Sequence, residues 1–200
     1  MTEPNQANHN LSGTIVVVSG LPRSGTSMMM NMLESGGIEL LKDGIRTPDD
    51  DNPRGYYEYE AVKGLKDGET SWLGKASGKA VKIISYLLHH LPPTHDYRII
   101  FMQRDLEEVL ASQRKMIIRR GEDPDKIEED KMKRILEKHL SEIDGWIQGQ
   151  NNIHRIDVPY KRVVDDPRPD LLAIQEFLGC LLDIDAMVRI ADPHLYRQRK

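Results

Sequence analysis

The stretch Gly20-Leu21-Pro22-Arg23-Ser24-Gly25-Thr26-Ser27 constrains this chain more than any other. It follows Thr14–Ser19 (TIVVVS), a β-branched run with the composition of a strand buried on both faces. It leads into Thr26–Glu34, which reads as a helix ended by Ser35-Gly36-Gly37. Strand, glycine loop and helix in succession form an anion cradle. The first helical N–H groups have no intrahelical acceptor, and the helix dipole is positive there. Glycine lets the backbone come close to an anion. Arg23 adds fixed charge, and Ser24, Thr26 and Ser27 add hydroxyl donors. An ATP-type loop, G-x-x-x-x-G-K-[ST], would carry lysine after the second glycine. Gly20 and Gly25 keep the spacing, but Thr26 stands in the lysine position. The expectation is a 5′-phosphate site without the lysine that serves the β- and γ-phosphates.

The rest of the chain continues the alternation. Ile38–Leu41, Ala80–Ile84, Tyr97–Met102 and Ile153–Val158 read as strands. Tyr56–Lys66, Asp105–Arg119, Pro124–Ile147 and Asp170–Leu178 read as helices, with Lys42–Gly55 a polar loop. Asp105 is a natural N-cap, with Glu108 placed to complete a capping box. In the long helix, Met132, Leu136, Leu140, Ile143 and Ile147 form the apolar stripe, and Glu129–Lys133 and Asp130–Arg134 are spaced as i,i+4 pairs. The implied fold is α/β: a single domain over residues 13–200, a central parallel sheet flanked by helices, with residues 1–12 a flexible tail. Ligands in such folds sit beyond the carboxyl ends of the strands. The loops after Ser19, Ile84, Met102 and Val158 should therefore frame the site.

Composition narrows the function classes. The chain has 28 basic and 32 acidic residues, a net charge of -4, which is no footprint for nucleic acid. A local basic pocket is still compatible with that balance. The single cysteine, Cys180, excludes an internal disulfide and argues against a structural zinc site. No HExxH, CxxC or carboxylate cage suggests a metal. The polar N-terminus lacks the basic and apolar regions of a signal peptide, and no apolar run approaches the roughly 20 residues of a membrane span. A cytoplasmic location is expected.

A second anion signal lies at the end of YRIIFMQR. Arg104 precedes a helix, and Ser112 is eight residues on, two turns along it. The long arginine side chain, with its planar guanidinium, and that hydroxyl are placed to converge on one phosphate.

Together these segments resemble the PAPS-dependent sulfotransferases (PAPS is 3′-phosphoadenosine 5′-phosphosulfate). That family's 5′-phosphosulfate loop is matched by Pro22-Arg23-Ser24-Gly25-Thr26-Ser27, and its 3′-phosphate pair by Arg104 and Ser112. Val158–Pro167 resembles a third family stretch whose tyrosine lies near the adenine; here that is Tyr160, with Lys161 where glutamate is usual. Asn52-Pro53-Arg54-Gly55-Tyr56-Tyr57-Glu58 is similar to the N-P-x-G-Y-[FY]-E segment of bacterial members. The resemblance implies a P-loop architecture like that of sulfotransferases and nucleoside kinases. It also implies PAPS as sulfuryl donor, no metal, and cofactor contacts from Arg23, Ser24, Gly25, Thr26, Ser27, Arg104, Ser112 and Tyr160. Arg23 and the loop amides are expected to neutralise the leaving phosphate. Cytosolic members carry a K-x-H segment after a strand. Lys82 matches the lysine, but Ile84 occupies the histidine position. Glu58 is then the leading candidate for the base, ahead of His89 and His90. Trp72 and Trp146 read as core or lid residues, and the basic tail Arg197-Gln198-Arg199-Lys200 as a loose end near the 3′-phosphate at most. The competing readings are a small ATP-dependent kinase and a nucleotide binder without catalysis. The acceptor, whether small molecule, glycan, lipid or peptide, is left open, as is the oligomeric state.

Overall fold

A computed structural model describes residues 11–47, 49, 52 and 55–191. The predicted tail contact at Arg197–Lys200, and Pro53 and Arg54 of the NPRGYYE segment, lie outside the described residues.

Four strands form one parallel sheet: β1 (Thr14–Gly20), β2 (Ala80–Lys82), β3 (Asp96–Gln103) and β4 (Ile153–Pro159), in the order β2-β1-β3-β4. The pairing is in register along β1 and β3, from Thr14 opposite Asp96 to Gly20 opposite Met102. Successive side chains on a strand face opposite ways, so the buried run of β1 divides between two cores. Val16 and Val18 join Ile100, Met102 and Val158 on one face; Ile15 and Val17 join Tyr97, Ile99 and Phe101 on the other. A sheet apolar on both faces must be covered on both. α1 (Thr26–Ser35), α5 (Tyr160–Asp165), α6 (Pro167–Leu178) and α7 (Ile184–Val188) flank the first core. The second lies under α2 (Leu73–Ala76), the 3-10 turns Glu60–Asp67 and Ser85–His90, and α4 (Glu129–Gln148). Leu11 is fully buried in the first core.

α3 (Leu106–Arg119) starts where predicted, its N-cap Asp105 accepting from the amides of Glu107 and Glu108 at 2.9 and 3.3 Å. Leu136 of α4 packs with Val109 and Leu110 of α3 and Leu21 of the glycine loop. The sheet order places the switch between β1 and β3, where connections leave in opposite directions. The crevice at their carboxyl ends is therefore open to a ligand.

Several expectations change. Ile38–Leu41 is not a strand; it makes one bridge, Leu40 to Ala80. Tyr56–Lys66 is not one α-helix: residues 56–59 follow an irregular path and a 3-10 helix follows from Glu60. Tyr57 sits at φ 53°, outside the right-handed helical region. β2 stops at Lys82, α4 begins at Glu129 rather than Pro124, and α6 begins at Pro167, where a ring-fixed φ suits the first helical turn. Lys133 reaches across to Glu107 of α3 at 3.4 Å instead of pairing with Glu129.

Candidate functional site

The glycine loop joins β1 to α1 at the switch. Gly20 has φ 146° and Gly25 φ 100°. A Cβ on Gly25 would lie 2.3 Å from Cδ2 of Tyr160, and one on Gly20 2.4 Å from Oγ of Ser24. Both positions thus require glycine for space as well as for backbone angle. Arg23 adopts φ 77°, a left-handed conformation uncommon for a side-chain-bearing residue. Its carbonyl accepts from Nη1 of Arg104 at 3.0 Å, and the neighbouring Pro22 carbonyl accepts from Nε2 of Gln113 at 3.3 Å. The loop carbonyls are thereby held from the β3–α3 side, while the first amides of α1 lack intrahelical acceptors. Ser24 is buried, and its Oγ has no hydrogen-bond partner among the described residues. An unsatisfied buried hydroxyl costs about 1–3 kcal/mol, so its presence beside a cleft points to a ligand acceptor or donor.

The two predicted anion motifs meet. Nε of Arg23 donates to Oγ of Ser112 at 3.0 Å. Arg104 pairs through Nε with Oε2 of Glu108 at 3.0 Å, both side chains being buried. Its guanidinium carbon stands 4.5 Å from the ring centre of Tyr160, a cation–π contact. Arg23 therefore leans toward the end expected for the 3′-phosphate rather than standing over the loop alone.

Glu58 and Lys82 also meet, on the other flank of α1. Lys82, at the carboxyl end of β2, sends Nζ to the carbonyl of Tyr56 at 2.6 Å, to Oγ of Ser27 at 3.2 Å and to Oε1 of Glu58 at 3.4 Å. Burial lowers the Lys82 pKa, while the neighbouring Glu58 carboxylate opposes the shift. Nη1 of Arg46 reaches the same Glu58 oxygen at 3.1 Å, and the Arg46 guanidinium stacks 3.3 Å from the Tyr56 ring centre. The Tyr56 hydroxyl donates to Asp49 at 2.6 Å; burial first, and that carboxylate second, raise its pKa. Asn52 donates through Nδ2 to Oγ of Ser27 at 2.9 Å. Asn52 and Tyr56 are thus fastened directly to Ser27 at the start of α1, and Glu58 through Lys82.

One cleft of about 380 Å³ runs between these groups. Arg23, Gly25, Thr26, Ser27, Glu58, Lys82, Arg104, Ser112 and Tyr160 all line it, so the structure brings together every predicted site residue except Ser24. Ser24 lines an adjoining cleft of about 410 Å³, shared with Arg104 and Tyr160. Two residues of α4, Leu140 and Asp144, line that second cleft. Seven basic side chains line the first cleft against one carboxylate, Glu58, in a chain of net charge -4. The sequence reading missed four of them: Arg46, Lys115, Arg119 and Arg120. Three lie on or at the end of α3, and their spacing from Ser112 was the available signal. Ile84 lines the cleft at the position where a histidine was sought. His89 stacks at a tilt on Trp146, 5.1 Å between ring centres, and does not line the cleft. Trp72 is a core residue. Among the described residues, no group of three or more His, Cys, Asp or Glu side chains is placed to hold a metal ion. No helix among them is long and apolar enough to cross a membrane.

Comparison with known proteins follows the same line. No sequence match was found among curated proteins. Among solved structures, the fold is similar to the sulfotransferase domain from the Synechococcus PCC 7002 olefin synthase, at 16% identity and a TM-score of 0.57, covering 100% of this chain and 92% of that one. It is also similar to sulfotransferase STF9 from Mycobacterium avium, at 12% identity and a TM-score of 0.56, covering 95% of this chain and 69% of that one. The sequence itself matches the sulfotransferase domain family over residues 14–198. With that match over nearly its whole length, the chain belongs to the sulfotransferase family.

Proposed function

We propose that this protein binds PAPS and transfers its sulfuryl group to an acceptor hydroxyl or amine, releasing 3′-phosphoadenosine 5′-phosphate (PAP). The observation that carries this reading is the junction of the two anion motifs, Arg23 Nε to Ser112 Oγ at 3.0 Å. A nucleotide with a phosphate at each end of its ribose needs two such sites in one cleft. The residues present fit that demand. The cleft has an excess of cations, the first amides of α1 lack intrahelical acceptors, and the Ser24 Oγ, without a partner among the described residues, lines the adjoining cleft.

In this mechanism the acceptor oxygen or nitrogen attacks sulfur, and the bond from sulfur to the 5′-phosphate oxygen breaks. Glu58 takes the acceptor proton. The first amides of α1 stabilise the charge that develops on the leaving phosphate, while the Arg23 guanidinium, bonded to Ser112, serves the 3′-phosphate end. Lys82 holds the Tyr56 carbonyl, Ser27 and Glu58 at fixed distances, so it positions the base beside the loop. Tyr160, packed over Gly25, serves the adenine side. Thr26 in place of a loop lysine disfavours the ATP-dependent kinase reading. Ile84 on the cleft wall favours, as the alternative, a PAP-binding protein without turnover. Mass spectrometry separates these two readings. With PAPS and a pool of phenols, sugars and amines, wild type should form PAP and a product heavier by one SO3. Glu58→Gln should slow this by about 10²–10⁴-fold. PAP binding with no transfer to any acceptor would leave the non-catalytic reading standing.

A further inference from the structure

Arg104 contributes little net charge to the anion site. Its guanidinium is paired with the buried Glu108 at 3.0 Å, donates to the Arg23 carbonyl and stacks on Tyr160. A phosphate monoester carries close to two negative charges near neutral pH. Arg23, which donates to Ser112, supplies one compensating charge. A second cation is needed within reach of Ser112.

The face of α3 that holds Ser112 provides it. Lys115 lies three residues on, Met116 four and Arg119 seven, which is the spacing of one helix face. All line the cleft with Arg23 and Arg104. The next basic residue off that face, Arg114, is already paired with Asp125 at 2.6 Å. Lys115 is exposed and has no carboxylate within 4 Å among the described residues, although the chain has more acidic than basic residues. A lysine left unpaired at the mouth of a cationic cleft stays there against mutual repulsion. An anionic ligand removes that repulsion.

We infer that Lys115 is a further binding residue, supplying with Arg23 the charge that holds the ribose 3′-phosphate at Ser112. Neither the loop pattern nor the Arg104–Ser112 pair assigns it a role. Arg104 then acts chiefly as a geometric clamp on the loop. This inference rests on the PAPS reading above.

The test compares PAP with adenosine 5′-phosphate, which lacks only the 3′-phosphate, by calorimetry. Wild type should prefer PAP. Lys115→Met should weaken PAP about ten-fold and leave adenosine 5′-phosphate unchanged. Lys115→Arg should restore most of the loss, and raising the salt should shrink it. Lys131→Met, on the exposed side of α4, controls for net charge and should change neither affinity. Unchanged PAP binding in Lys115→Met overturns the inference, as does an equal loss for both nucleotides. Absence of any PAP preference in wild type overturns the PAPS reading itself, and the inference with it.

Discussion

Arg104 and Glu108 are buried four residues apart at the start of α3, and they pair at 3.0 Å. Removing one charge of such a pair leaves the other desolvated and unmatched. Arg104→Ala should therefore destabilise the protein by about 3 kcal/mol, read from urea denaturation. The double variant Arg104→Met with Glu108→Met should recover much of that loss without recovering PAP affinity. Equal stability of the single variant and wild type would show that the pair is not buried in solution. Gly25→Ala combines a left-handed backbone cost of roughly 1–2 kcal/mol with a 2.3 Å approach to the Tyr160 ring. It should weaken PAP more than it lowers stability, since the loop itself must shift. At this scale the sequence was informative where a contact lies within one motif. The Asp105 side chain, which caps the amides of Glu107 and Glu108 at the start of α3, is such a case. The contact of Lys82 with Glu58 joins two separate segments and was legible only as two separate candidates. Arg46 carried no local pattern at all, because its role comes from stacking on Tyr56 and pairing with Glu58.

At the scale of elements, strands and long helices followed from periodicity, since β1 and α3 each bury a face that their residue types announce. The stretch of residues 56–59, between α1 and β2, did not. Its apolar spacing suits a helix, yet Tyr57 at φ 53° and the hydrogen bonds of Tyr56, Ser27 and Asn52 pin it in an irregular path. Tertiary contacts overrode local preference there. A second element-level feature escaped the sequence. His139 of α4 is within 2.9 Å of the buried Ser85 hydroxyl and stacks on Tyr86 at 3.9 Å, tying the Ser85–His90 turn to α4. Burial first, then the nearby His89, hold the His139 pKa below the ordinary 6.5. The unfolded chain therefore binds more protons than the folded one near and below pH 6.5, so stability falls as the pH drops through that window. Replacing His139 with Phe should flatten this pH dependence relative to wild type, measured as the denaturation midpoint between pH 7.5 and 5.5. An unchanged slope would place the acid sensitivity elsewhere.

For the molecule as a whole, the parallel order β2-β1-β3-β4 sets one crevice at the switch, and the cationic side chains converge there while the overall charge stays negative. Charge is thus concentrated by the fold rather than carried by composition. PAP affinity should accordingly fall with ionic strength between 50 and 300 mM salt, in the range where the screening length drops below about 10 Å. Folding stability, set mainly by the two apolar cores, should change far less over the same range. The most direct test of the account is a calorimetric titration of PAP, ADP and ATP into wild type and Ser112→Ala. Tight PAP binding, weak ADP and ATP binding, and a marked loss for PAP alone in the variant is the predicted result. ATP binding as tight as PAP, with Ser112→Ala indifferent to all three, would contradict it.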